Sequence, residues 1–148
     1  MGSLVRRVEV KDYVHVFLLN KEFNPQLEQY SETRVKEKLE TIIRKDIDRV
    51  FVYEQDNEVL GYIHGSPYEL LFSESLINVL GFVVSESHRN QGIGSSLISH
   101  LEEWGRNHGY SGMKLLTHPS RIQAHKFYEK RGYLFTKDQK NYIKEFKV

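Results

Sequence analysis

The apolar run Leu80-Gly81-Phe82-Val83-Val84 leads toward Arg89-Asn90-Gln91-Gly92-Ile93-Gly94-Ser95, and residues of helical spacing follow at once. That order suits phosphate. Glycines let the backbone turn tightly and approach a ligand closely, and the first-turn N–H groups of a helix offer donors and partial positive charge to an anion. Two glycines alone also make an ordinary turn into a helix. The run lacks the Gly-Lys-Ser/Thr ending of a Walker A loop and the three-glycine spacing of a dinucleotide-binding turn. Farther along, Tyr128 lies in a helical pattern, where a phenol can donate a proton or simply pack as an aromatic.

Other side chains with chemical potential are scattered. His118 stands between a β-rich run and Pro119; a near-neutral pKa suits a general base, and an ordinary loop residue is the other reading. His15, His64, His88, His100, His108 and His125 show neither His-Glu-x-x-His nor another paired spacing suited to zinc, so they read as surface or hydrogen-bonded residues and no metal is expected. Cysteine is absent from the sequence, which excludes disulfides, thiolate clusters and a cysteine nucleophile.

The elements that must position these residues follow from periodicity and punctuation. Leu4 to Val10 reads as a strand, and a short helix runs from Asp12 to the stop at Phe23-Asn24-Pro25. Ser31 is an N-cap for a helix whose apolar face is Val35, Leu39, Ile42 and Ile43. Arg49 to Glu54 and Val59 to Gly65 form a hairpin around Gln55-Asp56-Asn57-Glu58, broken by Gly65-Ser66-Pro67. Leu76 to Val84 suits a strand buried on both faces. Ile93, Leu97, Ile98, Leu101 and Trp104 mark a helix ending near Gly105 to Gly109. Lys114 to Thr117 reads as a strand, Ile122 to Lys130 as a helix closed by Gly132, and Tyr133 to Thr136 with Asn141 to Phe146 as a last pair of strands. The pattern is mixed α/β.

The 148 residues fit one domain over residues 1–148, with no repeat or linker composition. Hydrophobic residues at 39% and charged residues at 28% fit a soluble globular chain. A formal charge of +1 argues against a nucleic-acid binder, which is usually far more basic. No apolar run nears the roughly 20 residues of a membrane helix. Met1-Gly2-Ser3-Leu4-Val5-Arg6 has no signal-peptide core, and it has Arg where a myristoylation signal wants Ser or Thr. The expected location is cytoplasmic, without membrane or nucleic-acid partners.

Two segments resemble a known family. Arg89-x-x-Gly92-x-Gly94 after Leu80 to Val84 is similar to the acetyl-CoA signature of the GCN5-related N-acetyltransferases (GNAT). Ala124-His125-Lys126-Phe127-Tyr128-Glu129-Lys130-Arg131-Gly132-Tyr133 is similar to the family's Ala-x-x-Phe-Tyr-x-x-x-Gly-Phe/Tyr segment. The motifs occur in the family's order, one helix and one strand apart. The resemblance implies a GNAT-like fold: a mixed, mostly antiparallel, splayed sheet flanked by helices, with acetyl-CoA between the strand ending at Val84 and the strand Lys114 to Thr117. By this resemblance Arg89, Asn90, Gln91, Gly92, Ile93, Gly94 and Ser95 hold the pyrophosphate. Phe82, Val83 and Val84 pair their backbone with the pantetheine arm, which runs like an added strand, and an N–H near Phe82 or Val83 polarises the thioester. Tyr128 protonates the departing thiolate.

The sequence also departs from the family pattern. The stretch Asn78-Val79-Leu80-Gly81-Phe82 lacks the glutamate base that several branches carry there; water ordered by Asn78 or a strand-end carbonyl, or else His118, is the expected substitute. Arg121 stands where the family often has Asn. Glu22, Glu28, Glu69 and Glu74 fall where the family's acceptor pocket is usually lined, and could attract a cationic amine or be merely solvated. The implied reaction is acetyl transfer from acetyl-CoA to a primary amine of a small acceptor, by direct attack in a ternary complex. A non-catalytic acyl-CoA-binding or sensing domain, and a protein N-terminal or lysine acetyltransferase, are the alternatives. Tyr142, Ile143 and Phe146 are apolar enough to support a homodimer.

Overall fold

In the computed structural model, which describes residues 2–147, the local signals of the sequence sit where their chemistry requires. Ser31 caps the helix Glu32–Lys45 by accepting the Arg34 N–H at 3.3 Å. Asp56 and Asn57 both adopt left-handed backbone, with φ of 52° and 64°, as a two-residue hairpin turn of this hand demands.

The chain forms two compact units, one ending at Leu115 and one beginning at Leu116. The first runs β1 (Ser3–Arg7), α1 (Tyr13–Phe23), α2 (Glu32–Lys45), β2 (Arg49–Gln55), β3 (Glu58–Tyr68), β4 (Leu76–Val84), α3 (Ile93–Asn107) and β5 (Gly112–Lys114). Its sheet has the order β1-β2-β3-β4-β5, antiparallel through β4, with β5 parallel to β4. The second unit carries α4 (Ile122–Lys130). The mixed, mostly antiparallel α/β architecture is the one expected from the sequence.

Helices cover both faces of the sheet. Val16 and Leu19 of α1 and Val35 and Leu39 of α2 join Val50, Val52, Val59 and Val83 in one buried cluster. On the other face α3 sinks Ile93, Leu97, Ile98 and Leu101, each no more than 2% exposed. Glycines allow that depth. A Cβ at Gly65 would lie 2.8 Å from Ile77 Cγ2 and 2.9 Å from Leu101 Cδ2, and one at Gly61 3.2 Å from Leu97 Cδ1. A Cβ on α3 itself, at Gly105, would lie 2.5 Å from Ile77 Cδ1.

Several boundaries differ from expectation. β3 continues through Gly65-Ser66-Pro67 to Tyr68. The Leu60 carbonyl accepts the Ser85 N–H beside β4, so strand alternation turns the Pro67 nitrogen to the β2 side. There β2 pairing already ends at Arg49 opposite Gly65, and the missing N–H breaks no ladder bond. Leu80 at 55% exposure departs from a strand buried on both faces, because register shifts beside it and β5 has already ended. The last strand of the sheet is Gly112–Lys114, not Lys114 to Thr117. Tyr133 to Thr136 and Asn141 to Phe146 are not strands. β-rich composition cannot substitute for a partner edge, and Leu134, Phe135, Tyr142, Ile143 and Phe146 are exposed.

Because the seat of α3 on β3 is closed to any added atom, Gly65→Ala is expected to cost about 1–3 kcal/mol by overpacking. Thermal denaturation reads the effect, and an unchanged midpoint would mean that α3 does not lie this close.

Candidate active site

The site is built from the way β4 ends. β4 pairs with β5 only at Leu76↔Gly112, Ile77↔Met113 and Asn78↔Lys114, while its pairing with β3 continues to Val84↔Gly61. The two neighbours of β4 therefore part company at Asn78, and along Val79 to Val84 the edge away from β3 is open, with no strand paired to it among the described residues. The Ser85 N–H bonds Leu60 at 2.7 Å, and the Val83 carbonyl faces the Gly61 position on β3. Alternation then directs the backbone groups of Phe82 and Val84 away from β3, toward the opened edge. Asn78 stands at the fork, opposite Ser66 on one side and Lys114 on the other.

Beyond Val84 the chain makes a short 3-10 turn, Glu86–His88, and then curls. Its turn is tied on several sides: Ser85 Oγ lies 3.3 Å from Ser87 Oγ and 3.2 Å from His88 Nδ1, and the Glu86 N–H donates to the Glu22 carboxylate of α1. Asn90 and Gly92 are left-handed, at φ 64° and 81°. Asparagine and glycine are the residues that tolerate this region, and such curls gather successive N–H groups toward one point. The first backbone bond into α3 is Ser96 N–H to the Gly92 carbonyl, at 3.0 Å, and Gly92 offers no side-chain cap. The N–H groups of Ile93, Gly94 and Ser95 thus precede the helix's own bonding and point out of its positive end. Together with the curl before them they make a cradle of outward backbone donors whose chemistry suits an anion, and Arg89, four residues before Ile93, is exposed.

The second unit holds Tyr128 and His118. Tyr128 is half-buried on α4, edge-on to Phe127 at 5.4 Å and to Tyr133 at 5.8 Å. Gly132, at φ 91°, lets the chain reverse so that the Tyr133 N–H reaches the Tyr128 carbonyl at 3.0 Å. Burial raises the Tyr128 phenol above its ordinary pKa, outweighing the opposing pull of the Arg121 charge. A phenol so placed keeps its proton at neutral pH. His118 is engaged in the turn before α4: its Nδ1 accepts the Ser120 N–H at 3.1 Å, and its carbonyl accepts from Arg121 N–H and His125 Nε2. Arg121 itself is the N-cap residue of α4, without a side-chain capping bond.

The four acidic candidates divide. Glu22 holds the Glu86 N–H, and Glu69 accepts from Ser75 Oγ at 2.5 Å across the β3–β4 loop, so both have structural work. Glu28 and Glu74 are exposed. A polar group that periodicity could not reveal lies across the start of the sheet. Asp48 holds His64 Nε2 at 2.8 Å and Ser66 Oγ at 2.7 Å. The hairpin of β2 and β3 brings these residues together, and no short motif links them in sequence.

Among the described residues, no helix is long and apolar enough to cross a membrane. A family model described as the acetyltransferase (GNAT) family matches residues 15–133. The chain is 30% identical over 88 residues to the uncharacterized protein YxbD of Bacillus subtilis (strain 168), a match that spans 60% of this chain and 51% of that protein, about half its length. Among solved structures, AAC(6')-Iy in complex with the bisubstrate analog CoA-S-monomethyl-acetylneamine is similar with a TM-score of 0.84 at 21% identity, over 99% of this chain and 100% of that one. Glucosamine-6-phosphate N-acetyltransferase from Arabidopsis thaliana is similar with a TM-score of 0.79 at 15% identity, over 98% and 100%. An aminoglycoside acetyltransferase from an uncultured soil metagenomic sample, in complex with sisomicin, is similar with a TM-score of 0.78 at 17% identity, over 98% and 97%. At these identities the likeness is one of fold.

The left-handed backbone at Gly92 makes a simple test of the cradle. Gly92→Ala meets no neighbouring atom but is strained by its φ, and is expected to cost about 1–2 kcal/mol in thermal stability. No loss would mean that the curl is not held in this form.

Proposed function

Because the chain belongs to the acetyltransferase (GNAT) family, we propose that it moves an acetyl group from acetyl-CoA to the primary amine of a small acceptor, by direct attack while both are bound. The observation that carries this reading is the opened edge of β4 running into the N–H cradle at the start of α3. A strand edge and an anion cradle in line are what an extended amide-bearing arm ending in a pyrophosphate requires. The neamine portion of the bisubstrate analog bound to AAC(6')-Iy, and the glucosamine 6-phosphate for which the Arabidopsis thaliana enzyme is named, support a small amine acceptor.

In this reading the residues divide the work. Arg89, Asn90, Gln91, Gly92, Ile93, Gly94 and Ser95 receive the pyrophosphate. Phe82 and Val84 offer backbone partners to the pantetheine arm, and Val83 packs beneath, its carbonyl committed to β3. Of the two candidate oxyanion donors, Phe82 is preferred, since alternation aims its N–H at the edge. The amine nitrogen bonds to the thioester carbon as the carbon–sulfur bond breaks. Tyr128, kept protonated by burial, gives its proton to the departing sulfur. With no cysteine in the chain, no acetyl-cysteine intermediate can form. His118 is assigned to the turn before α4, whose N–H occupies its Nδ1. Asn78, opposite both Ser66 and Lys114, is assigned in this reading to ordering water for the reaction.

Thiol release from acetyl-CoA, measured with neamine, sisomicin, glucosamine 6-phosphate and a lysine peptide, tests the reaction. Release with a small amine is expected. Release with the peptide alone would favour a protein acetyltransferase, and saturable acetyl-CoA binding without release to any acceptor would favour a sensing domain. Tyr128→Phe is expected to lower kcat roughly 10–100-fold while leaving acetyl-CoA affinity unchanged. An unchanged rate removes Tyr128 from the proton-donor role.

A further inference from the structure

The family reading leaves one group unassigned: the acceptor that takes the proton lost by the attacking amine. The stretch Asn78 to Phe82 has no carboxylate. One cluster in the first unit has the required chemistry. Asp48 Oδ2 lies 2.8 Å from His64 Nε2, and Asp48 Oδ1 accepts from Ser66 Oγ at 2.7 Å. A carboxylate on one ring nitrogen holds the proton there, fixes the plane of the imidazole and leaves the other nitrogen with its lone pair. Ser66 in turn fixes the carboxylate. His64 Nδ1 has no protein hydrogen-bond partner among the described residues and is not sealed from solvent. His64 and Asp48 are 19% and 21% exposed, sheltered but within reach of water.

The position matters as much as the pairing. His64 sits directly opposite Gly81, the residue before Phe82 on the opened strand. Directly opposed residues share a face, so His64, Gly81 and the next polar pair, Ser66 and Asn78, line one side of the sheet beside the fork. Gly81 places no side chain there: a Cβ at that position would come 3.3 Å from Tyr62 Cε1 and 3.8 Å from His64 Cβ. The strand between the imidazole and the reacting edge is thus bare backbone. Tyr62, on the same face, is not a competing base: its hydroxyl donates to Asn20 Oδ1 at 2.5 Å, and burial pushes its pKa up to about 12.

We propose that the Asp48–His64 pair is the proton acceptor for the amine, reached through water that crosses the β4 backbone at Gly81 beside Asn78. This rests on the acetyl-transfer reading above. The ammonium proton passes through water to His64 Nδ1, the nitrogen lone pair so freed bonds to the thioester carbon, and the carbon–sulfur bond breaks. The second proton of the nitrogen leaves as the amide forms, the sulfur takes one proton from Tyr128, and solvent returns both residues to their starting state. The net products are amide, thiol and one proton. Asp48 stabilises the imidazolium while it exists.

His64→Gln is the informative variant, because its amide keeps a donor toward Asp48 and removes the basic nitrogen. Acetyl transfer by the full chain is compared for neamine and for hydroxylamine, a weakly basic nucleophile that is largely neutral just above pH 7 and needs no proton removed before it attacks. His64→Gln is expected to lower kcat for neamine roughly a hundredfold, with the KM for acetyl-CoA and the melting temperature unchanged and the hydroxylamine rate near wild type. In His64→Ala, added imidazole is expected to restore part of the neamine rate. Asp48→Asn is expected to fall between wild type and His64→Gln. Wild-type neamine turnover in His64→Gln, or equal loss with both nucleophiles and no imidazole rescue, overturns the proposal while leaving acetyl transfer standing. A wild-type chain that acetylates neither nucleophile overturns both readings.

Discussion

The close seat of α3 on β3 is the constraint from which the candidate site follows. Gly61 and Gly65 on the strand and Gly105 on the helix remove the atoms that would hold the two apart, and Leu97, Leu101 and Ile77 occupy the space. A helix with side chains interlocked at this depth cannot slide or rotate without making a cavity or a clash. Its N-terminus is therefore fixed relative to the strands, and Ile93, buried at that end, anchors the first turn itself. The bond from Ser85 to Leu60 fixes the exit of β4 to the same strand, β3. The donors of the cradle and the backbone of the opened edge thus share one rigid reference, which is what a preorganised anion site needs.

The second determining feature is the short reach of β5. Three paired positions are enough to complete the sheet at Asn78, and beyond them β4 is held from one side. An exposed strand edge is ordinarily a hazard that proteins limit. Here it is brief, starts at an irregularity beside Leu80 and ends in the tied turn at Glu86. The same Glu22–Glu86 bond ties the end of α1 to the turn that leads from β4 toward α3. On the opposite side of β3, the partly buried ion group of Arg6 with Asp12 and Glu54 pins β1 and the start of α1 to β2. Burial acts to raise the Asp12 carboxyl, but the bonds from Arg6 and the Glu9 N–H outweigh it and hold its pKa below the usual value.

Legibility in the sequence tracked the range of the interaction. Ser31, Asp56-Asn57 and Gly132 were readable because a cap or a turn is decided by a residue and its near neighbours. The glycine curl and Phe127-Tyr128 were readable because their spacing is itself the motif. Pro67 misled because its effect depends on where a different strand, β2, stops. Residues 133–146 misled because β-rich composition cannot say whether an edge is there to receive it. His64 looked like one of several unremarkable histidines; its partner Asp48 is brought to it by strand register, which no local pattern encodes.

By itself, then, the sequence determined the local devices: helix starts, the hairpin turn, a loop able to curl around an anion, a phenol on a helix and the absence of any thiol. These depend on backbone dihedrals and side-chain chemistry that each residue carries with it. Only the tertiary structure decided which strand edge opens, how deeply α3 sits, which backbone groups of Phe82 to Val84 face outward, and which histidine meets a carboxylate. Those outcomes are set by contacts between residues far apart in the chain, where one shift of register exchanges every neighbour.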